Sequence, residues 1–256
     1  MEFEAVTLLV LLSVAALLWL QQYKSGNAGW VDVFWAWATG LCGLLYLVTG
    51  SGALLPRVVA GVMLLTWSLR LGGHIFSRVR AEPAEDGRYA AMRAALGARA
   101  QPVLLLFFLG QGLLAWLFSL PFSVIGDQQM ASMTMVVAGL LIGMTAILGE
   151  SIADAQLRRF KQRPDSDSKT CREGLWRYSR HPNYFFEWLH WCGYPLVAMG
   201  AHSAGLLWLL PVAMFCFLWF VTGIPYTEKQ AIKSRGEDYR DYQRTTSAFF
   251  PWRPGS

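Results

Sequence analysis

Apolar runs of about twenty residues recur along the whole chain, and the connections between them alternate between nearly uncharged and strongly basic. A run of that length crosses the ~30 Å hydrocarbon core of a bilayer as one helix. The runs fall at 4–21, 30–49, 57–77, 103–124, 131–152, 183–201 and 205–224. Of the 256 residues 54% are hydrophobic and only 15% charged, where about 25% is usual for a soluble domain. No connection is long enough to hold a further core. The pattern predicts an all-α integral membrane protein, one membrane domain over 1–256 with seven transmembrane helices and a tail at 225–256.

Charge orients the spans. The 50–57 connection carries only Arg57, the 125–130 connection only Asp127, and the 201–205 connection only His202. The 78–101 and 154–181 stretches and the tail hold most of the Lys and Arg. Basic loops stay on the cytoplasmic side, so the N-terminus is expected outside and the C-terminus in the cytoplasm. The first run carries Glu2 and Glu4 and no basic leader, and reads as a first helix and not a cleaved signal. A net charge of +5 belongs to these loops and not to a nucleic-acid face. Cys42, Cys171, Cys192 and Cys216 show no CxxC spacing, so neither a disulfide framework nor a metal site is expected. The 81–98 stretch reads as a loop and a short amphipathic helix on the membrane surface, and 162–173 as a loop.

Polar side chains inside apolar runs are expensive unless paired or bound to something polar. They concentrate around Gly174–Trp188, where a basic loop with Tyr178, Arg180 and His181 runs straight into a span carrying Asn183 and Glu187. Asn183 and Glu187 are four residues apart, as are Glu150 and Asp154, with Arg158 and Lys161 beyond. Arg70, His74 and Arg78 share a face of the third span. Asp32 opens the second span. Bland roles compete: Asp32 as a helix cap, Arg78, Arg158 and Lys161 as snorkelling residues, Glu187 neutralised by Arg70 or His190. Together they suit an anionic, phosphate-bearing ligand, since guanidinium groups bind phosphates bidentately. No GxGxxG, P-loop, HExxH or GxSxG pattern is present.

The run Arg180-His181-Pro182-Asn183-Tyr184-x-x-Glu187 resembles the membrane-embedded steroid 5-alpha-reductase-like family. It is similar also to the sterol reductases and, more distantly, to the isoprenylcysteine carboxyl methyltransferases. The likeness is strongest over 149–252 and moderate over 66–93, where Trp67-x-x-Arg70-Leu71-Gly72 and Asp86-Gly87-Arg88-Tyr89 carry it. It implies a seven-helix, NADPH-dependent reductase of a carbon–carbon double bond conjugated to a ketone. Asp154, Lys161, Lys169, Asn183 and Glu187 match the family's cofactor positions, and Arg70 the arginine of its third span. Arg78, Arg158, Tyr178, Arg180 and His181 would join them, with Glu228 and Tyr239 from the closing segment. The family's Gln-Glu pair on the second span is absent, and Trp67 stands where its third-span Tyr is expected. Asp32, His74 and Glu187 are therefore the candidate catalytic acids.

The substrate would be lipophilic and enter from the bilayer of, by the resemblance, a bacterial inner membrane, with the cofactor mouth on the cytoplasmic side and no nucleic acid or metal as partner. Two alternatives stand beside this reading. One is a SAM-dependent methyltransferase of a prenylated or lipid substrate, which Glu187 argues against. The other is a non-enzymatic lipid-binding protein whose buried charges merely pair.

Overall fold

Helices account for the regular structure of this chain, seen in a computed structural model that describes residues 2–82, 84–129, 132–221 and 223–255. There is no β-strand among the described residues. Among the described residues six stretches are long and apolar enough to cross a membrane, namely Glu2–Ser25, Trp30–Thr49, Leu54–Ala81, Gly87–Gly126, Met133–Lys161 and Ala204–Arg235. That is the composition of an integral membrane protein.

The run expected at 183–201 differs. It forms a helix of 16 residues, Pro182–Val197, short of the ~20 that cross a bilayer upright. Pro195 lies in its last turn, and the chain reverses at Gly200, whose φ is 113°. The run expected at 205–224 is also not one regular helix. A 3₁₀ turn (Ala204–Trp208), an α-helix (Leu209–Cys216) and a π-helical turn (Phe217–Val221) follow one another.

The chain divides into two compact units. The first, Met1–Ala131 with Gly200–His202, contains α1 (Glu2–Ser25), α2 (Trp30–Thr49), α3 (Leu54–Ala81), α4 (Gly87–Leu96), α5 (Ala100–Ser119) and α6 (Pro121–Gly126). Helix α2 is its centre and packs on α1, α3, α5 and α6. Lipid is as apolar as leucine, so close packing and buried hydrogen bonds hold such helices together. Gly40 on α2 lies against Ser68 of α3, and Gly72 of α3 against Trp37; a Cβ at either glycine would collide. Tyr46 and Thr7 hydrogen-bond at 2.7 Å between α2 and α1. Arg57 closes the C-terminal end of α2, with Nε donating to Leu47 O at 2.6 Å and Nη2 to Val48 O at 2.8 Å. The one basic residue of that connection is thus a helix cap.

The second unit, Ser132–Met199 with Ser203–Ser256, contains α7 (Met133–Lys161), α8 (Pro182–Val197), α9 (Leu209–Cys216), α10 (Ile224–Arg235) and α11 (Glu237–Thr245). Helix α7 runs nine residues past the apolar run expected at 131–152, so Asp154, Arg158 and Lys161 are helical. After α11 the chain turns back as an irregular strap, whose Gly255 N–H donates to Thr245 O at 2.8 Å.

Candidate functional site

Helices α7 and α8 pack antiparallel along nearly their whole shared length. Gly139 faces Gly193, Gly143 faces His190, Gly149 lies under Phe186, and Asp154 meets Asn183. The polar residues predicted at four-residue spacing therefore end on the packed face. Asn183 Nδ2 donates to Asp154 Oδ1 at 3.4 Å. One turn deeper Glu187 is buried, 6% exposed, and Trp191 Nε1 donates to its Oε1 at 2.8 Å. A further turn in, His190 has no exposed surface. Its Nδ1 lies 3.4 Å from the carbonyl of Gly143, and its Nε2 lies 2.8 Å from the Tyr194 hydroxyl. A carbonyl only accepts, so Nδ1 carries the hydrogen and Nε2 accepts from Tyr194.

At the charged end of the cluster α7 finishes in Arg158, Arg159 and Lys161. Arg158 and Lys161 are exposed. Lys169 is also exposed and bonds Asp165 Oδ2 at 2.7 Å within the 162–173 connection, so it is tied to that loop.

The turn into α8 is positioned from both sides. Gly174 has φ 58°, a left-handed conformation that glycine adopts without strain. Leu175 N–H donates to Gln156 Oε1 and Trp176 Nε1–H to Ala153 O, each at 2.9 Å, which fixes the turn on α7. On the other side it meets the C-terminal strap. Arg180 N–H donates to Ser247 O at 2.8 Å, Ser179 Oγ to Phe249 O at 2.8 Å, and Trp252 N–H to Tyr178 O at 2.9 Å. The Tyr178 side chain itself is exposed.

Arg180, His181, Glu228 and Tyr239 meet in one network. Arg180 Nε donates to Glu228 Oε1 at 2.7 Å, and its Nη1 to the carbonyls of Gln243 and Thr246 at 3.1 and 2.6 Å. His181 Nε2 lies 3.3 Å from the same Glu228 oxygen, and the Tyr239 hydroxyl donates to it at 3.4 Å. Gln243 Nε2 donates to the other oxygen at 2.7 Å. Burial pushes the His181 imidazole below its ordinary pKa, an effect that Glu228 only partly opposes. Burial also pushes the Tyr239 and Tyr242 phenols up. These four residues, expected to touch a cofactor, hold the strap and α10 onto the start of α8.

Asp32, Arg70, His74 and Arg78 lie in the first unit. Asp32 is not the N-terminal cap of α2, a place taken by Gly29. Its carboxylate receives Arg88 Nη2 at 2.6 Å and the Tyr89 hydroxyl at 2.7 Å. Asp86 caps α4, accepting from Arg88 N–H at 3.0 Å, and pairs with Arg78 at 3.4 Å. Burial opposes ionisation of Asp86, but its bonds from Arg88 outweigh that and hold its carboxyl below the usual range. The helix expected at the membrane surface is thus latched to α2. Arg70 is half-buried and His74 exposed on α3.

Sequence reasoning missed Arg88 and Tyr89 as partners of Asp32, and Glu85, which Arg93 and the Ala28 N–H engage at 2.9 Å. The signal was the Asp-Gly-Arg-Tyr run, which has a capping residue before a helix with two donors in its first turn. It missed Trp191 and Tyr194 as the groups that orient Glu187 and His190; i,i+4 spacing on one helix would have found them.

Fold and site define a helical protein with several apolar helices of membrane-crossing length and a polar cluster buried between α7 and α8. A protein-family model described as "Protein of unknown function (DUF1295)" matches residues 18–246, and the chain belongs to that family, which is the steroid 5-alpha-reductase-like family. The human protein 3-oxo-5-alpha-steroid 4-dehydrogenase 1 is 32% identical over 80 residues, a match that covers 31% of this chain and 29% of that relative. The chain thus spans less than a third of the curated relative's length. No solved structure matches.

Proposed function

We propose that this protein is a membrane-bound, NADPH-dependent reductase of a carbon–carbon double bond conjugated to a ketone in a lipophilic, steroid-like substrate. Membership of the family and the partial likeness to a human steroid 4-dehydrogenase support a reductase. The observation that carries the reading is the buried Glu187, fixed by Trp191, one helical turn beyond the Asn183–Asp154 pair and the basic end of α7. In this reading the chain crosses a bacterial inner membrane seven times, with α8 as a short span, the N-terminus outside and the cofactor mouth in the cytoplasm.

The donor set fits a pyridine dinucleotide phosphate. Arg158 and Lys161 lie exposed at the charged end, where phosphates would sit, and neither has a carboxylate partner among the described residues. Asn183 and Asp154 offer one amide and one carboxylate, groups that bind ribose hydroxyls or a carboxamide. NADPH supplies the hydride when bound. Glu187 holds the reacting end, and the surrounding Trp191 and Tyr194 rings exclude water from it. The acid that completes the reduction belongs to the set Asp32, His74 and Glu187. Glu187 is the member this unit buries.

Thermal melting of the purified protein with added nucleotide tests the reading. NADPH, and not SAM, is expected to raise the melting temperature, and a 3-oxo-4-ene steroid to be reduced at the expense of NADPH. Stabilisation by SAM alone turns the assignment to a methyltransferase, and stabilisation by neither turns it to a non-enzymatic protein.

A further inference from the structure

Helix α7 carries a second feature, on the side away from Glu150 and Asp154. Residues 145, 148, 149, 152 and 156 recur at three and four, so they form one stripe. Ile152 and Asp154 are about 200° apart at ~100° per residue. The stripe floors a groove of about 540 Å³, bounded at one end by the Gly174–Tyr178 turn and on one side by Phe186. Its membrane portion is apolar. Leu148 is 61% and Ile152 51% exposed, and at Gly149 the missing side chain lets the Phe186 ring lie on the backbone.

The groove changes character toward the end of α7. Arg177 and Tyr178 line that end. Arg159 stands three residues beyond Gln156 and seven beyond Ile152, so it continues the stripe. Most basic neighbours are already engaged: Arg163 by Glu173, Lys169 by Asp165, Arg172 by Asp238 and Asp241, Arg180 by Glu228. Arg159 and Arg177 are exposed and have no carboxylate partner among the described residues. Beside them Trp252, whose N–H bonds Tyr178 O, is 75% exposed. Exposed Trp and Tyr rings at this level are characteristic of the membrane–water boundary.

An apolar stripe that ends in aromatic and cationic side chains follows the polarity of a phospholipid from acyl chain to phosphate. We propose that this groove binds an anionic phospholipid, one acyl chain lying along Leu148 and Ile152 and the phosphate held by Arg159 and Arg177. Arg177 at the mouth, with Arg159 following on the same stripe of α7, suits a phosphate, since guanidinium groups bind phosphates bidentately. A zwitterionic lipid such as phosphatidylcholine sets a choline cation beside the same phosphate, which offsets the attraction of two guanidinium groups, and a free phosphate leaves the apolar stripe uncovered. The site needs only a bilayer around the chain, so it stands or falls separately from the reductase reading.

Native mass spectrometry tests it on full-length protein released from bilayer discs of equal phosphatidylglycerol and phosphatidylcholine. Wild type is expected to retain phosphatidylglycerol about tenfold over phosphatidylcholine, each arginine near an anionic headgroup contributing a few-fold. Arg159→Gln with Arg177→Gln brings the ratio near one. Ile152→Trp, which fills the groove, lowers retention of both lipids, and Arg240→Gln on the exposed surface of α11 changes neither. In wild type the preference falls as salt rises, a reading that needs no variant. Equal retention by wild type, a salt-independent preference, or a preference unchanged in the double variant overturns the proposal. So does displacement by glycerophosphoglycerol, which lacks acyl chains, at the concentrations effective for the intact lipid.

Discussion

Arg180 and Glu228 form a largely buried ion pair at 2.7 Å, with side chains 11% and 16% exposed. The pair joins the first residues before α8 to α10, and the same guanidinium also donates to the carbonyls of Gln243 and Thr246. Removing one member of a buried pair leaves the other uncompensated, at a cost on the order of 3 kcal/mol. Glu228→Leu is expected to lower the melting temperature and open the 246–255 strap to protease. Arg180→Lys should do nearly as much, because an ammonium cannot reproduce three donors in one plane. Wild-type protease resistance in both variants would falsify the tie.

His181 gives that tie a pH dependence. Its folded pKa lies below the ordinary value of about 6.5 because the ring is buried. Above that value neither state binds the proton. As pH falls below it the unfolded chain takes up the proton first, so stability drops until the folded pKa is reached. Melting temperature should therefore decline from pH 7.5 toward acid, and His181→Gln should flatten that part of the profile. Parallel profiles for the two proteins would show that another group titrates.

Asp154 and Asn183 are proposed to face the nucleotide. Asp154→Ala or Asn183→Ala should weaken NADPH binding about five- to tenfold, the loss of one hydrogen bond of ~1 kcal/mol or slightly more. Lys161→Ala should weaken it too and reduce its dependence on salt. Titration calorimetry at two ionic strengths reads both effects. Unchanged affinities and an unchanged salt slope would move the phosphates elsewhere.

Glu187→Gln keeps the volume and the Trp191 contact while removing the charge. Enone reduction is expected to fall at least about a hundredfold, the scale of one acid–base or orienting group, with little change in melting temperature. Wild-type turnover in this variant would remove Glu187 from the chemistry.

Asp32 holds α4. Tyr89→Phe deletes a hydrogen bond worth about 1 kcal/mol, and Asp32→Asn weakens a charge-assisted one worth roughly 2 kcal/mol. Both should lower the melting temperature and expose the 82–99 stretch to cleavage. A loss of turnover in Asp32→Asn at an unchanged melting temperature would instead give the carboxylate a chemical role.

The alternation of apolar runs made the helical membrane class legible, and i,i+4 spacing put Asn183 beside Glu187 and Glu150 beside Asp154 before any fold was known. Both signals are local, because helical periodicity is a property of one segment. Helix ends were less legible. α7 continues through Lys161 because amphipathic sequence carries a helix beyond the apolar run that hydropathy detects. α8 stops at Val197, short of the run expected there.

What the sequence determined by itself was the class of protein, the run of polar residues at the start of α8, and the family those residues announce. The tertiary structure decided which of them were already engaged. Arg180, His181 and Glu228 meet across nearly fifty residues of chain, and Asp32 meets Tyr89 across more than fifty. Such pairings depend on where separate segments pack, and a side chain's residue type carries no record of the partner that packing brings to it.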